Sequence, residues 1–108
     1  MRIIAKKTLR DFWEKHSDCE NALKVWYHET ENANWQTPDD IKRIHATVSF
    51  LKDNRVVFNI KGNDFRLVIS INFLQAASYV IWFGTHNEYD KIDVQTISFD
   101  TAILKNKI

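Results

Sequence analysis

Arg66, His86 and Tyr89 are the side chains of this sequence whose types and spacing could do chemistry together. An arginine can hold a phosphate through two parallel N–H groups, and a tyrosine can donate or accept a hydrogen bond. A histidine exchanges protons near neutrality because its ordinary pKa is about 6.5. His86 and Tyr89 are three residues apart, the spacing that puts two side chains on one face of a helical turn. A cation, a proton-transfer group and a hydroxyl beside one phosphate would suit phosphodiester chemistry. Taken singly they are weak signals: a lone exposed histidine is ordinary surface, and Arg66 with Lys61 also reads as the solvated face of an antiparallel sheet.

Other residues explain themselves without chemistry. His16 and His28 read as polar-face residues of amphipathic helices, and His45 follows a third helix without an evident partner. Asp39 and Asp40 serve helix capping, while Asp90 and Asp93 read as a pair on a short turn. No P-loop, G-x-G-x-x-G, G-x-S-x-G or H-E-x-x-H motif occurs. The single Cys19 cannot close an internal disulfide, and no cysteine/histidine cluster has zinc spacing. No metal and no cofactor are expected.

The elements that must position these residues follow from the periodicity. Thr8 with Asp11 resembles a capping box, followed by Leu9, Phe12 and Trp13 on one helical face ending near His16. Ser17 with Glu20 is a second box, and Cys19, Ala22, Leu23, Trp26, Tyr27 and Thr30 continue at spacings of three and four, predicting a helix to about Glu29. A polar loop spans Glu31 to Gln36. Thr37, Pro38 and Asp40 then supply an N-cap, an N1 proline and an acidic third position for a short helix through Ile41 and Ile44. Trp13, Trp26 and Tyr27 read as core.

The period then changes. Asp53 and Asn54 form a turn between Val48–Leu51 and the β-branched run Val56–Ile60. Phe65, Leu67, Ile69, Ile71 and Phe73 alternate with polar or smaller residues as a half-buried strand does, and a further strand spans Tyr79 to Phe83. These predict an antiparallel meander, with Arg2–Ala5 as an additional edge strand. With Gly62 and Asn63 central in the hairpin turn, Lys61 faces Asp64, Ile60 faces Phe65, Asn59 faces Arg66 and Phe58 faces Leu67. Asn59, Lys61 and Arg66 then project from one face. A slip of one residue would bury Arg66, so the alternation supports the register. After Gly84, Thr85 to Glu88 form another capping box, predicting a helical turn that carries Tyr89, Asp90 and Lys91. Helices first and a sheet afterwards argue an α+β fold.

The chain of 108 residues, 44% hydrophobic with two glycines and one proline, is expected to fold as one domain over residues 1–108. The unpaired cysteine, the absence of an apolar signal segment near the N-terminus and the absence of an apolar run of roughly 20 residues point to a cytoplasmic protein with no membrane partner. A net charge of +1 gives no global argument for nucleic acid. Residues 41–91 hold seven Lys/Arg against four Asp/Glu, whereas residues 1–40 hold six against eight, so any anion-binding surface belongs to the second half.

The run FNIKGNDFRLVISINF followed by YVIWFGTHNEYDKID closely resembles the HigB toxins, messenger-RNA endonucleases of type II toxin–antitoxin pairs within the RelE-like group. The elements N-I-K-G-N at 59–63, F-R-L-V at 65–68 and T-H-x-E-Y-D-K at 85–91 carry the resemblance. The opening RIIAKKTLRDFWEKH and the W-x-T-P-x-D-I-K segment at Trp35 to Lys42 also match. The resemblance implies N-terminal helices packed on a twisted antiparallel sheet, with the catalytic groove on the sheet side. It implies metal-independent cleavage of messenger RNA, in related toxins often at the ribosomal A site, by attack of the 2′-hydroxyl on the adjacent phosphate. Arg66 matches the arginine that such toxins use on phosphate and transition-state charge, and His86 the proton-transfer position after the last strand. By the same resemblance Tyr89 orients RNA or assists proton transfer, and Lys61 and Lys91 hold flanking phosphates or stabilise developing charge as further catalytic residues; Asn59, Asn63 and Arg55 are expected to bind RNA, with Asn59 and Asn63 alternatively securing the turn. The implied partner is a HigA-type helix-turn-helix antitoxin, through which alone DNA would be reached. The alternative reading is a non-catalytic RNA- or ribosome-binding module on the same fold, using this face only for phosphate contacts.

Overall fold

The computed structural model describes residues 1–4 and 6–97; Ala5 of the expected first strand and residues 98–108 of the expected domain lie outside the described residues. The order of elements is β1 (Arg2–Ile4), α1 (Lys6–Lys15), a 3-10 turn (Ser17–Cys19), α2 (Glu20–Glu31), α3 (Pro38–Ile44), β2 (Ser49–Phe50), β3 (Arg55–Ile60), β4 (Phe65–Asn72), β5 (Ala77–Thr85) and α4 (His86–Tyr89). This is the expected α+β arrangement. α1 starts two residues before Thr8, which therefore sits inside the helix rather than capping it. The Ser17 box does not form either: a tight 3-10 turn comes first, and α2 begins without a side-chain cap. At α3 the cap is as predicted, since the Asp40 carboxylate accepts the backbone N–H groups of Gln36 (2.9 Å) and Thr37 (3.1 Å). Those bonds, Gln36 foremost, hold the Asp40 carboxyl below the usual carboxylate range.

The five strands form one sheet in the order β1-β5-β4-β3-β2. β2, β3, β4 and β5 pair antiparallel in sequence order, as the meander requires. The edge strand β1 is where expected but lies parallel to β5, so the sheet is mixed. A parallel partner needs a long connection, and the chain between β1 and β5 supplies it. The β3–β4 ladder has the predicted register, Phe58 with Leu67, Asn59 with Arg66 and Ile60 with Phe65. Its turn is wider than a two-residue connection: Lys61 and Gly62 both take left-handed φ values, 55° and 63°, and the Asp64 N–H donates to the Lys61 carbonyl at 3.2 Å.

One face of the sheet meets the helices. Phe58, Phe65, Leu67, Ile69, Ile71, Val80 and Phe83 pack there against Leu9, Leu23, Trp26, Trp35 and Ile41, all buried. Phe58 is the hub on one side, ringed by Trp26, Trp35 and His45 at centroid distances of 5.4, 6.2 and 5.0 Å. On the other, Phe83 stacks on Phe65 and meets Phe12 of α1.

A bulge decides what the opposite face presents. Val68 pairs with Trp82 but its neighbour Ile69 pairs with Val80, leaving Ile81 without a partner. The extra residue reverses the alternation, sending Phe83 into the core and turning Trp82 and Gly84 to the face that carries Arg66.

Candidate active site

The site is built at the end of the β4–β5 ladder, where Arg66 pairs with Gly84 and Phe65 with Thr85. Arg66 is half-buried. One of its guanidinium nitrogens donates to the carbonyls of Asn63 (3.0 Å) and Phe65 (3.2 Å), which fixes the fork while leaving its other N–H groups for a ligand. The guanidinium carbon stands 5.9 Å from the centroid of the Tyr89 ring, within cation–π range.

α4 delivers Tyr89 and His86. The Thr85 box forms as predicted: Glu88 N–H donates to Thr85 Oγ1 at 3.2 Å, and Thr85 N–H donates to Glu88 Oε1 at 2.8 Å. The His86 N–H donates to the Asp64 carbonyl at 2.9 Å, tying this turn to the β3–β4 turn. The exposed His86 imidazole has its Nε2 3.4 Å from Asp90 Oδ2. Burial raises the Tyr89 hydroxyl above the ordinary tyrosine range, against the opposing pull of Arg66, so the phenol is a protonated donor at neutral pH. Beside His86 a cleft of about 410 Å3 opens between the 3-10 turn and the β3–β4 turn, lined among others by Asp18, Asn63, Asp64 and Asn87.

The structure thus brings Arg66, Tyr89 and, through α4, His86 to one end of the sheet, with Asn63 bonded to Arg66 through its carbonyl. Asn59 lies opposite Arg66 in the ladder, as predicted. Lys91 is exposed just beyond α4. Two expected members stand elsewhere. Lys61 does not join Arg66: its left-handed backbone takes the ammonium to Asp18 (3.8 Å) and Asp64 (3.9 Å), on the helix side of the turn. Arg55 donates instead to the carbonyls of Val94 (2.9 Å) and Ile97, holding the segment after α4 to the sheet. Sequence reasoning missed Asp90, the carboxylate beside His86, although its i,i+4 spacing signalled it. Among the described residues, no group of three or more His, Cys, Asp or Glu could hold a metal ion. Cys19 is fully buried, and burial pushes its thiol up to about 11, too high for a nucleophile at neutral pH.

Residues 19–92, which include every member of this cluster, match the family described as HigB toxin, RelE-like toxic component of a toxin-antitoxin system. The chain belongs to the HigB toxin family. It is 28% identical over 109 aligned residues to the mRNA interferase toxin HigB of Escherichia coli, with 99% of this chain and 97% of the relative covered. The mRNA interferase HigB of Shigella flexneri matches to the same extent. A further Escherichia coli protein of that name is 26% identical over 94 residues, 85% of this chain and 91% of its own. The HigB resemblance seen in the sequence is therefore borne out, and so is the α+β fold. No helix among the described residues is long and apolar enough to cross a membrane.

Proposed function

We propose that this HigB-family toxin is an endoribonuclease that cleaves messenger RNA without a metal, and that Arg66, His86 and Tyr89 carry the reaction. The observation that supports this most directly is the Arg66 guanidinium held between two backbone carbonyls and the Tyr89 ring at the foot of the His86 turn. In the proposed reaction the 2′-hydroxyl oxygen attacks the adjacent phosphorus and loses its proton to a base. The bond from phosphorus to the 5′-oxygen breaks, and an acid protonates that oxygen. The products are a 2′,3′-cyclic phosphate, open to hydrolysis to a 3′-phosphate, and a 5′-hydroxyl. Arg66 neutralises charge on the phosphorane. His86, with Asp90 beside it to stabilise the imidazolium, exchanges the proton as base or acid. Tyr89, protonated at neutral pH, donates a hydrogen bond to the phosphate or to the leaving oxygen.

Lys91 is assigned to a flanking phosphate, and Asn59 and Asn63 to RNA contacts near the turn. Lys61 is already engaged by two carboxylates, and we give it the role of holding the β3–β4 turn to Asp18. Messenger RNA on the ribosome is the proposed substrate, a HigA-type antitoxin the proposed protein partner, and the cytoplasm the proposed site of action.

The test is to express the chain from a tight promoter and map new 5′-hydroxyl RNA ends, with and without translation, alongside Arg66→Ala and His86→Ala. The expected result is new ends and growth arrest from the parent chain, with both lost in folded variants. A positioned proton-transfer group contributes about 10² to 10⁴-fold, so His86→Ala is expected to slow cleavage by that order. Growth arrest with no new 5′-hydroxyl ends would favour the non-catalytic binding module instead.

A further inference from the structure

The sheet face that carries Arg66 also carries an indole for which the proton-transfer chemistry has no use. Of the four tryptophans, Trp26 and Trp35 are buried around Phe58, and Trp13 packs edge-on to Tyr27. Trp82 is half-buried and, because of the bulge at Ile81, stands on the face away from the helices. Its six-membered ring occupies the space above Gly84, where an added Cβ would come within 2.6 Å of Cη2 and 2.7 Å of Cζ2. Gly84 is the ladder partner of Arg66, so the indole and the guanidinium share one face of neighbouring strands. The Tyr89 ring borders both, with its centroid 6.1 Å from that of Trp82 and 5.9 Å from the guanidinium carbon.

A nucleotide presents a charged phosphate and, one sugar away, a flat aromatic base. A guanidinium and an indole on neighbouring strands match those two halves, and single-stranded RNA is commonly held by stacking its unpaired bases on aromatic side chains. We propose that Trp82 is the stacking platform for a nucleobase adjoining the phosphate held by Arg66, which makes it a substrate-positioning residue. The inference rests on the endoribonuclease reading above. Since every base has a π-face, the platform selects for an unstacked nucleotide over a duplexed one without choosing among the four bases.

The test is single-turnover cleavage of a short message, free or in the ribosomal A site, whichever the parent chain cuts, using RNAs with one abasic nucleotide placed in turn on either side of the cut. Trp82→Ala is expected to lower kcat/KM by roughly 5- to 100-fold, the range for losing one stacked base, and Trp82→Phe to restore most of it. At one RNA position the abasic substitution and Trp82→Ala should be non-additive, the second change costing little once the first is made. Additive losses at every position would overturn the platform even if the variant is destabilised, because a general loss of folding does not depend on which base is missing. Where Trp82→Ala fails to fold, the same cycle run with Trp82→Leu decides by the same criterion. An uncut message with the parent chain would instead defeat the nuclease reading, so the two failures are distinct.

Discussion

At the scale of single residues, the proposed reaction asks a cation of Arg66 and a hydrogen-bond donor of Tyr89, whose hydroxyl burial pushes above the ordinary tyrosine range. Tyr89→Phe should therefore remove a hydrogen-bond donor while leaving the ring that lies near Arg66 and Trp82. Single-turnover cleavage is expected to fall about 10- to 100-fold, the worth of a hydrogen bond to a charged group, with KM little changed. A fall as large as that of His86→Ala would show instead that the tyrosine carries a proton-transfer step of its own. The positions of Arg66 and His86 were legible in the sequence because a strand alternation and a capping box fixed which element would carry each. Lys61 was misplaced because its left-handed φ of 55° in a turn four residues wide cannot be read from alternation.

At the scale of elements, the two glycines do different things. Gly62 has a φ of 63° with open space around its missing Cβ, so Gly62→Ala costs only backbone strain, about 1 kcal/mol. Gly84 makes room for the Trp82 indole, so Gly84→Ala must displace that ring, and it also crowds Glu88 Oε1 of the Thr85 capping box at 3.0 Å. Thermal unfolding together with cleavage should separate them: Gly62→Ala is expected to lower Tm modestly with near-normal activity, and Gly84→Ala to lose activity beyond its loss of stability. Equal effects on both readouts would contradict the distinction. The helix and strand spans were legible from periodicity and the α3 and α4 caps. The β5 bulge was not, since a strand of mostly apolar residues offers no alternation to interrupt, and nothing local requires Ile81 to be skipped.

At the scale of the whole molecule, His45 joins the helices to the sheet. It follows α3, meets Trp35 and Phe58 edge-on, and its Nε2 is buried without a hydrogen bond, 3.6 Å from the Glu29 carboxylate. Desolvation pushes its imidazole below the ordinary histidine range, with Glu29 pulling the other way. A depressed folded-state pKa means that the unfolded chain takes up the proton first. The stability contribution is thus complete above about pH 6.5 and is lost as the pH falls toward the lower folded value. Denaturant unfolding between pH 7.5 and pH 5 on the wild-type chain and His45→Gln should show a steeper acid loss in the wild type; parallel curves would mean that Glu29 fully offsets burial. The sequence by itself determined the classes and order of the elements, the β3–β4 register and the placement of an arginine on a strand and of a histidine and tyrosine on a helical turn, because these follow from short-range periodicity and capping. Only the tertiary structure decided that β1 runs parallel, that Lys61 and Arg55 are spent on Asp18 and on the carbonyls of Val94 and Ile97, and that Trp82 shares a sheet face with Arg66. Each of those depends on which distant chain segment lies alongside, and on one unpaired residue in β5 that reverses the two faces of a strand.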